Sequence, residues 1–402
     1  MSPILTVFVR NRGELLLTRR ADDSEHAAGR WDGLSAPLEA SAETVDAARR
    51  LVRSKTSLSQ LRLAYAGESV TAGGRTIHPV LFDSPNRETD IEGVTKAEWV
   101  SATALLDRRT VEGLWEAYEQ VAPSATTISA DTVHGAAALS IRALEALRDS
   151  AAVADEWADV ADTACELREA RPSMAVLANR INRVMSSAER TTQAVHDRAI
   201  SEIATALDAD ASAAATAAER LTGPIATLSW SGTVRDALTA LAGSVTIAEA
   251  RPDCEGIELA ESLSTAGLDV TVTTDAALPA LLSDQEFGAV LVGADTVLPN
   301  GDVVNKVGTR ALALAADRAD VPVYVAAARD KLSVDDTFHP EEGSEQAVYD
   351  GLEAITVRNP VFDLTPGDLI EGVVTENGLL DSRGISVVAA QHRSNAAWAD
   401  DD

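Results

Sequence analysis

Between Ile4 and Arg20 the chain reads as two apolar runs divided by Asn11-Arg12-Gly13. Apolar runs around a turn of this kind predict a β-hairpin. Strand-like runs follow near residues 61–69, 76–82 and 95–100, and apolar positions spaced for helices fall at 43–57 and 109–121. Together these predict an α+β unit over residues 1–122. The stretch APSATTISAD (122–131) is small, polar and Pro-containing, so residues 123–130 are expected to be a linker. From 131 to 222 apolar positions recur every three and four residues, the pattern of a helical subdomain.

After Gly223 the rhythm changes. The short runs PIATLS, SVTIAEA, DVTVTT, GAVLVGAD and VPVYVAAA alternate with helical segments. Continuous apolar runs joined by crossovers are the mark of buried parallel strands. The expected class is therefore α/β, with a Rossmann-like open, mostly parallel sheet over residues 223–395 and a short acidic tail at 396–402. Ligands of such sheets sit beyond the carboxyl ends of the strands. Those ends carry Ser229, Glu249, Arg251, Thr274, Asp275 and Asp295.

Composition narrows the class. With 46% hydrophobic residues in 402 positions the chain can bury a sizeable core. No apolar run reaches membrane-spanning length and the first residues run straight into a strand pattern, so neither a signal peptide nor a membrane helix is expected. The two cysteines, Cys165 and Cys254, lie far apart. A cytoplasmic protein with free thiols fits them, with Cys165 in a helical core stripe and Cys254 an inert small side chain. The charge is extreme: 34 basic against 63 acidic residues leave −29. Just four lysines are present, Lys55, Lys96, Lys306 and Lys331. The acidity is spread along the whole chain, as on a surface adapted to molar salt, where charges are screened within roughly 3 Å. It argues against direct nucleic-acid binding, which needs a basic footprint.

The densest chemistry is GADTVLPNGDVVNKVGT, Gly293–Thr309, with two aspartates, two asparagines, one lysine and three glycines. With ARPSM (170–174), EARPDCEG (249–256) and RNPVFDLTPGDLI (358–370), in that order, it resembles the subunits of translation initiation factor 2B. The same blocks resemble their relatives, the sugar-phosphate isomerases acting on methylthioribose 1-phosphate and ribose 1,5-bisphosphate. The resemblance covers roughly residues 125–395. Isomerising a C1-phosphorylated aldose needs an acid/base pair at the reacting carbons and a cationic grip on phosphate. The resemblance maps the catalytic aspartate onto Asp295. It maps substrate contacts onto Gly135, Arg171, Arg251, Asn305 and Lys306, with backbone amides after Ser229. It also implies a homodimer, no metal and no cofactor in this domain and, by analogy alone, a link to translation initiation factors.

The sequence departs from the isomerase pattern twice. The family's catalytic cysteine falls on Ser229 in TLSWSGTV, and its Arg-Gly-Ala becomes His134-Gly135-Ala136. A serine hydroxyl is several pKa units less acidic than a thiol and needs a neighbour to take its proton. The expectation is therefore a protein that binds a phosphorylated pentose or a nucleotide without efficient turnover. The alternative is an aldose–ketose isomerase with Asp295 as acid/base, acting on ribose 1,5-bisphosphate or a related C1-phosphorylated pentose.

Residues 1–120 resemble a Nudix domain in the hairpin, GRWDGLSAPLEA (29–40) and AARRLVRSKTSL (47–58). That resemblance implies an α/β/α sandwich of haloarchaeal type and, in working members, glutamates holding divalent cations. Here Leu51, Ser54 and Lys55 stand where those glutamates would be, Ser35 and Ala36 replace the Gly-Gly turn, and Glu39 remains alone. Diphosphate hydrolysis is accordingly the least favoured activity.

Overall fold

The computed structural model describes residues 3–22, 27–39, 42–87, 91 and 93–400. It divides into two compact units, residues 1–124 with 148–154, and residues 125–147 with 155–402.

In the first unit the predicted hairpin forms from Ile4–Asn11 and Glu14–Arg20, paired antiparallel with Asn11 opposite Glu14. Arg12 and Gly13 both take positive φ, 49° and 79°, the backbone hand that a two-residue hairpin turn requires. Ile4–Asn11 also pairs in parallel with Arg75–Asp83, which brings the hairpin into an eight-stranded sheet. The helix expected over 43–57 spans Thr44–Lys55, and the Glu43 side chain caps it by accepting the Asp46 N–H. Ala48 and Val52 face the core while Arg50, Arg53 and Lys55 face solvent. Arg49 is held differently: its guanidinium donates to the Leu61 carbonyl and lies over the Phe82 ring.

In the second unit, residues 136–147 of the helix Ala136–Val153 and the helices Trp157–Glu169, Ala175–Ser187 and the 29-residue Thr192–Arg220 precede the sheet. All five predicted parallel strands form. Across the sheet they run Asp269–Thr273, Ser244–Ala248, Ile225–Leu228, Ala289–Val292, Val323–Ala326, followed by Gly372–Thr375 and the antiparallel Gly378–Leu380. The chain first builds outward from Ile225–Leu228 in one direction, then crosses back to Ala289–Val292 and builds the other way. The gap between those two strands is the topological switch point. A three-stranded antiparallel sheet of Thr296–Val297, Val303–Lys306 and Phe362–Thr365 stands beside it.

Three expectations are corrected. Residues 125–130 of the expected linker form a helix that buries Ile128, because Ala, Thr and Ser tolerate helix and one apolar anchor suffices to seat a short turn. Cys165 is exposed; its helix buries Val160, Ala161, Ala164 and Leu167, which puts Cys165 on the opposite face. The start of the expected acidic tail is packed, since Trp398 is buried and donates to Asn182 Oδ1 at 3.0 Å. Trp157 meets the Trp398 ring edge-on at 6.4 Å and Arg168 stacks over it.

Candidate functional site

The crevice at the switch point collects the residues that the strand ends supply. Ser229 directly follows Ile225–Leu228 and is buried, with φ +63°. Ala250 (φ +61°) and Cys254 (φ +58°) lie on the loop after the neighbouring strand. Left-handed backbone at a non-glycine residue costs of order 1–2 kcal/mol and persists where surrounding contacts enforce it. Here Asp275 enforces it, because its carboxylate accepts the backbone N–H groups of Ala250 and Arg251, each at 2.8 Å.

Ser229 Oγ donates a short hydrogen bond to Glu255 Oε2. Glu255 opens the helix Glu255–Thr265, a position where a carboxylate gains from the helix dipole. Its other oxygen accepts from Lys306 Nζ at 3.2 Å, and Lys306 also donates to Asp253 Oδ2 at 3.0 Å. Burial alone would depress the Lys306 pKa, but attraction to Glu255 and the bond to Asp253 carry it above the ordinary lysine value.

Asp295 stands three residues beyond Ala289–Val292, with its backbone N–H on the Val304 carbonyl at 2.9 Å. Burial drives its carboxyl pKa up; attraction to Lys331 and a hydrogen bond from the Ala136 N–H oppose that, while Glu255 and Glu341 reinforce it. The helix that follows Gly135 thus brings its first N–H to Asp295, while a side chain at Gly135 itself would meet open space. Lys331 Nζ donates to the Ala294 carbonyl at 2.5 Å, and burial lowers its pKa. Asn305 Nδ2 donates to Thr309 Oγ1 at 3.0 Å. At Gly293 a Cβ would lie 2.8 Å from Ser231 Oγ, so the strand end needs glycine to pass the serine that caps the next helix.

Two sequence candidates have other engagements. Arg171 pairs with Glu341 through Nε (3.3 Å) and Nη2 (2.7 Å) and donates Nη1 to the Asp131 carbonyl, so its guanidinium is already engaged within the protein. His134 is held by Asp131 at 2.9 Å with Arg142 against the same carboxylate. Hydrogen bonds from His134 outweigh burial and keep the Asp131 carboxyl well below the usual range. Arg251, by contrast, is exposed, with its Nη1 3.7 Å from Cys254 Sγ.

Sequence reasoning missed Glu255 as the Ser229 partner, Lys331 and the network that places Lys331. Buried Arg180 donates to Asp330 at 3.0 Å, Asp210 at 3.1 Å and Ser140 Oγ at 2.7 Å. Arg183 bridges Glu202 and Asp330. These contacts outweigh the burial penalty and hold the Asp330 carboxyl far below its ordinary value. They lock the turn Arg329–Lys331, and with it the ammonium beside Asp295. The scarcity of lysine was a usable signal, since two of the four lie in this crevice.

A cavity of about 500 Å³ opens beside the site, lined by Thr132, Val133, Asp253, Cys254, Glu255 and Glu258 among others. Its wall is acidic. Among the described residues no three His, Cys, Asp or Glu side chains converge as metal ligands. In the first unit the exposed cations of the helix Thr44–Lys55 do not fit a divalent-cation site. Chemically, the crevice offers a carboxyl held toward its protonated form, a carboxylate bonded to a hydroxyl, and two ammonium groups.

A family model described as "Initiation factor 2 subunit family" matches residues 132–382, well over half of the chain. The methylthioribose-1-phosphate isomerase of Geobacillus kaustophilus is 38% identical over 148 residues, 34% of this chain and 42% of that protein. The putative translation initiation factor eIF-2B subunit 2-like protein of Pyrococcus furiosus is 40% identical over 136 residues, 34% of this chain and 48% of its own. The chain thus spans less than half the length of these curated relatives. Among solved structures, the translation initiation factor eIF-2B of Pyrococcus horikoshii OT3 superposes with a TM-score of 0.56 at 27% identity, covering 64% of this chain and 94% of that one. The 5-methylthioribose 1-phosphate isomerase of the same organism gives 0.55 at 22% identity, covering 74% and 89%, a likeness of fold.

Proposed function

The chain belongs to the Initiation factor 2 subunit family, and from that membership we propose that it is an aldose–ketose isomerase for a C1-phosphorylated pentose, with ribose 1,5-bisphosphate as the first substrate to test. The observation that carries this reading is Asp295, a carboxyl held toward its neutral form beside Lys331 at the switch-point crevice. A neutral carboxyl is the acid needed to protonate the ring oxygen so that the sugar opens. Methylthioribose-1-phosphate isomerases among the similar proteins support the same chemical class. Exposed Arg251, Asn305 and the backbone after Ser229 supply phosphate and hydroxyl contacts. Lys306, already paired with two carboxylates, orients them and does not grip phosphate.

A second reading, binding of a sugar phosphate or nucleotide without turnover, is favoured by Ser229 where the isomerases carry cysteine. Proton NMR in molar KCl with ribose 1,5-bisphosphate separates the two. Ketose formed by the wild type and abolished by Asp295→Asn, with binding retained, supports the isomerase. Turnover by Ser229→Cys alone supports the second reading, and loss of binding together with turnover in Asp295→Asn argues against a catalytic Asp295.

The first unit we read as a Nudix-like fold without hydrolase activity, on the strength of its hairpin and its basic helix. We further read the protein as a salt-adapted, cytoplasmic homodimer. Among the described residues no helix is long and apolar enough to cross a membrane.

A further inference from the structure

We infer that Glu255 is the proton acceptor of the isomerisation, acting through the Ser229 hydroxyl, an inference that rests on the isomerase reading above. Ser229 is a weak base by itself. Its Oγ, however, already donates to Glu255 Oε2, and a hydroxyl that hands its proton to a carboxylate can take one from substrate in the same step. The arrangement is fixed from both sides. Lys306 holds Oε1 of the same carboxylate, Asp253 holds Lys306, and the strand end puts buried Ser229 at positive φ. Gly256 lets this helix start lie against the preceding strand, because a Cβ there would sit 2.0 Å from the Ala248 carbonyl.

The step balances without a co-reactant. Asp295 gives its proton to the ring oxygen and the bond from that oxygen to C1 breaks, leaving an oxocarbenium at C1. The hydrogen on C2 moves to C1 with its electron pair. As the C2 carbonyl forms, the proton of the C2 hydroxyl passes to Ser229 Oγ, whose own proton passes to Glu255. The product is the open ketose, with Asp295 ionised and Glu255 protonated, and exchange with solvent restores both. Ser229 touches substrate; Glu255 is a positioning residue that acts through it. The charged and titratable groups around Glu255 are Lys306, Asp253 and Asp295 from neighbouring segments, Arg251 on the preceding loop, and Glu258 and Glu261 on its own helix.

The experiment measures kcat, its pH profile, and calorimetric Kd for ribose 1,5-bisphosphate with the full chain in molar KCl. It compares wild type, Glu255→Gln, Glu255→Asp, Ser229→Ala and the double variant Glu255→Gln/Ser229→Ala. Glu255→Gln is expected to lower kcat by about 10²–10⁴-fold with Kd changed less than about tenfold. Its profile should keep the alkaline limb set by Asp295. Glu255→Asp should restore part of the rate, and the double variant should be no slower than the slower single one. Glu255→Gln turnover within a few-fold of wild type, or losses that multiply in the double variant, overturns the inference and leaves the isomerase standing. Wild type that binds the sugar without converting it removes the isomerase reading and this inference together.

Discussion

Replacing Lys331 with methionine removes the ammonium that faces Asp295 and keeps the length of the side chain. Two groups then lose a partner: the Ala294 carbonyl, which accepts from Nζ, and the Asp295 carboxylate. Losing a buried hydrogen bond together with a favourable charged neighbour costs about 1–3 kcal/mol when the remaining charge has no escape. Asp295 has one. Its pKa is already raised by burial, and without Lys331 it rises further. A carboxyl whose folded pKa lies above its unfolded value loses stability as pH rises, by up to about 1.4 kcal/mol per unit. The deficit of Lys331→Met should therefore grow as pH rises and shrink as pH falls. At about 2–3 °C per kcal/mol for a unit of this size, the thermal midpoint should fall by about 2–9 °C at pH 8. Scanning calorimetry in 2 M KCl at four pH values measures it. The double variant Lys331→Met/Asp295→Asn, with no charge left to bury, should recover most of the loss. A deficit independent of pH, or one that grows toward acid, would refute the pairing.

Three further outcomes are expected. Arg180→Ala leaves Asp330 and Asp210 facing an empty buried site and should cost about 3–5 kcal/mol by chemical denaturation, with turnover lost because the Arg329–Lys331 turn is freed; a loss under 1 kcal/mol would contradict the network. Gly256→Ala forces the helix start away from the Ala248 carbonyl, so kcat should drop at least tenfold, and unchanged kinetics would deny that Glu255 must stay on Ser229. Raising KCl from 0.1 to 2 M shortens the screening length from about 10 Å to roughly 2–3 Å, so KM for a doubly phosphorylated sugar should fall several-fold; a rise in KM would mean that attraction outweighs the acidic wall.

Sequence periodicity went far toward this fold where contacts are local. The hairpin was legible because its turn lies between its own strands, and the helix at Thr44–Lys55 because its two buried positions are four residues apart. Four of the parallel strands stood out because they are buried on both faces, whereas Asp269–Thr273 lies largely exposed at the sheet edge and was legible from its β-branched residues. The strand Gly372–Thr375 was not singled out, being a short apolar run among glycines. Asp295, Asn305 and Lys306 were found because they share one motif. The groups that tune them were not. Arg180 meets Asp330 across 150 residues and Ser229 meets Glu255 across 26, and nothing in local spacing marks such a pair. A resemblance transfers residue type and not partners, so the pairing of Arg171 with Glu341, 170 positions away, was equally hidden.

The acidic mouth and the anionic substrate pull in opposite directions, and the placement of cations shows how both can hold. If Lys306 were the phosphate ligand, the two carboxylates on it would have to be displaced at each binding event, leaving Asp253 and Glu255 unpaired beside an anion. With Lys306 fixed between them, Glu255 stays on Ser229 and the local charge is partly neutralised before substrate arrives. In the proposed isomerase the task of gripping phosphate would then fall to exposed Arg251 and to backbone N–H groups, neither of which belongs to that cluster. Repulsion from the remaining carboxylates of the wall is long-ranged in dilute buffer and collapses within a few ångströms in molar salt. We therefore propose that such a site works best where salt is abundant, a reading that the charge of −29 carried by the whole chain supports.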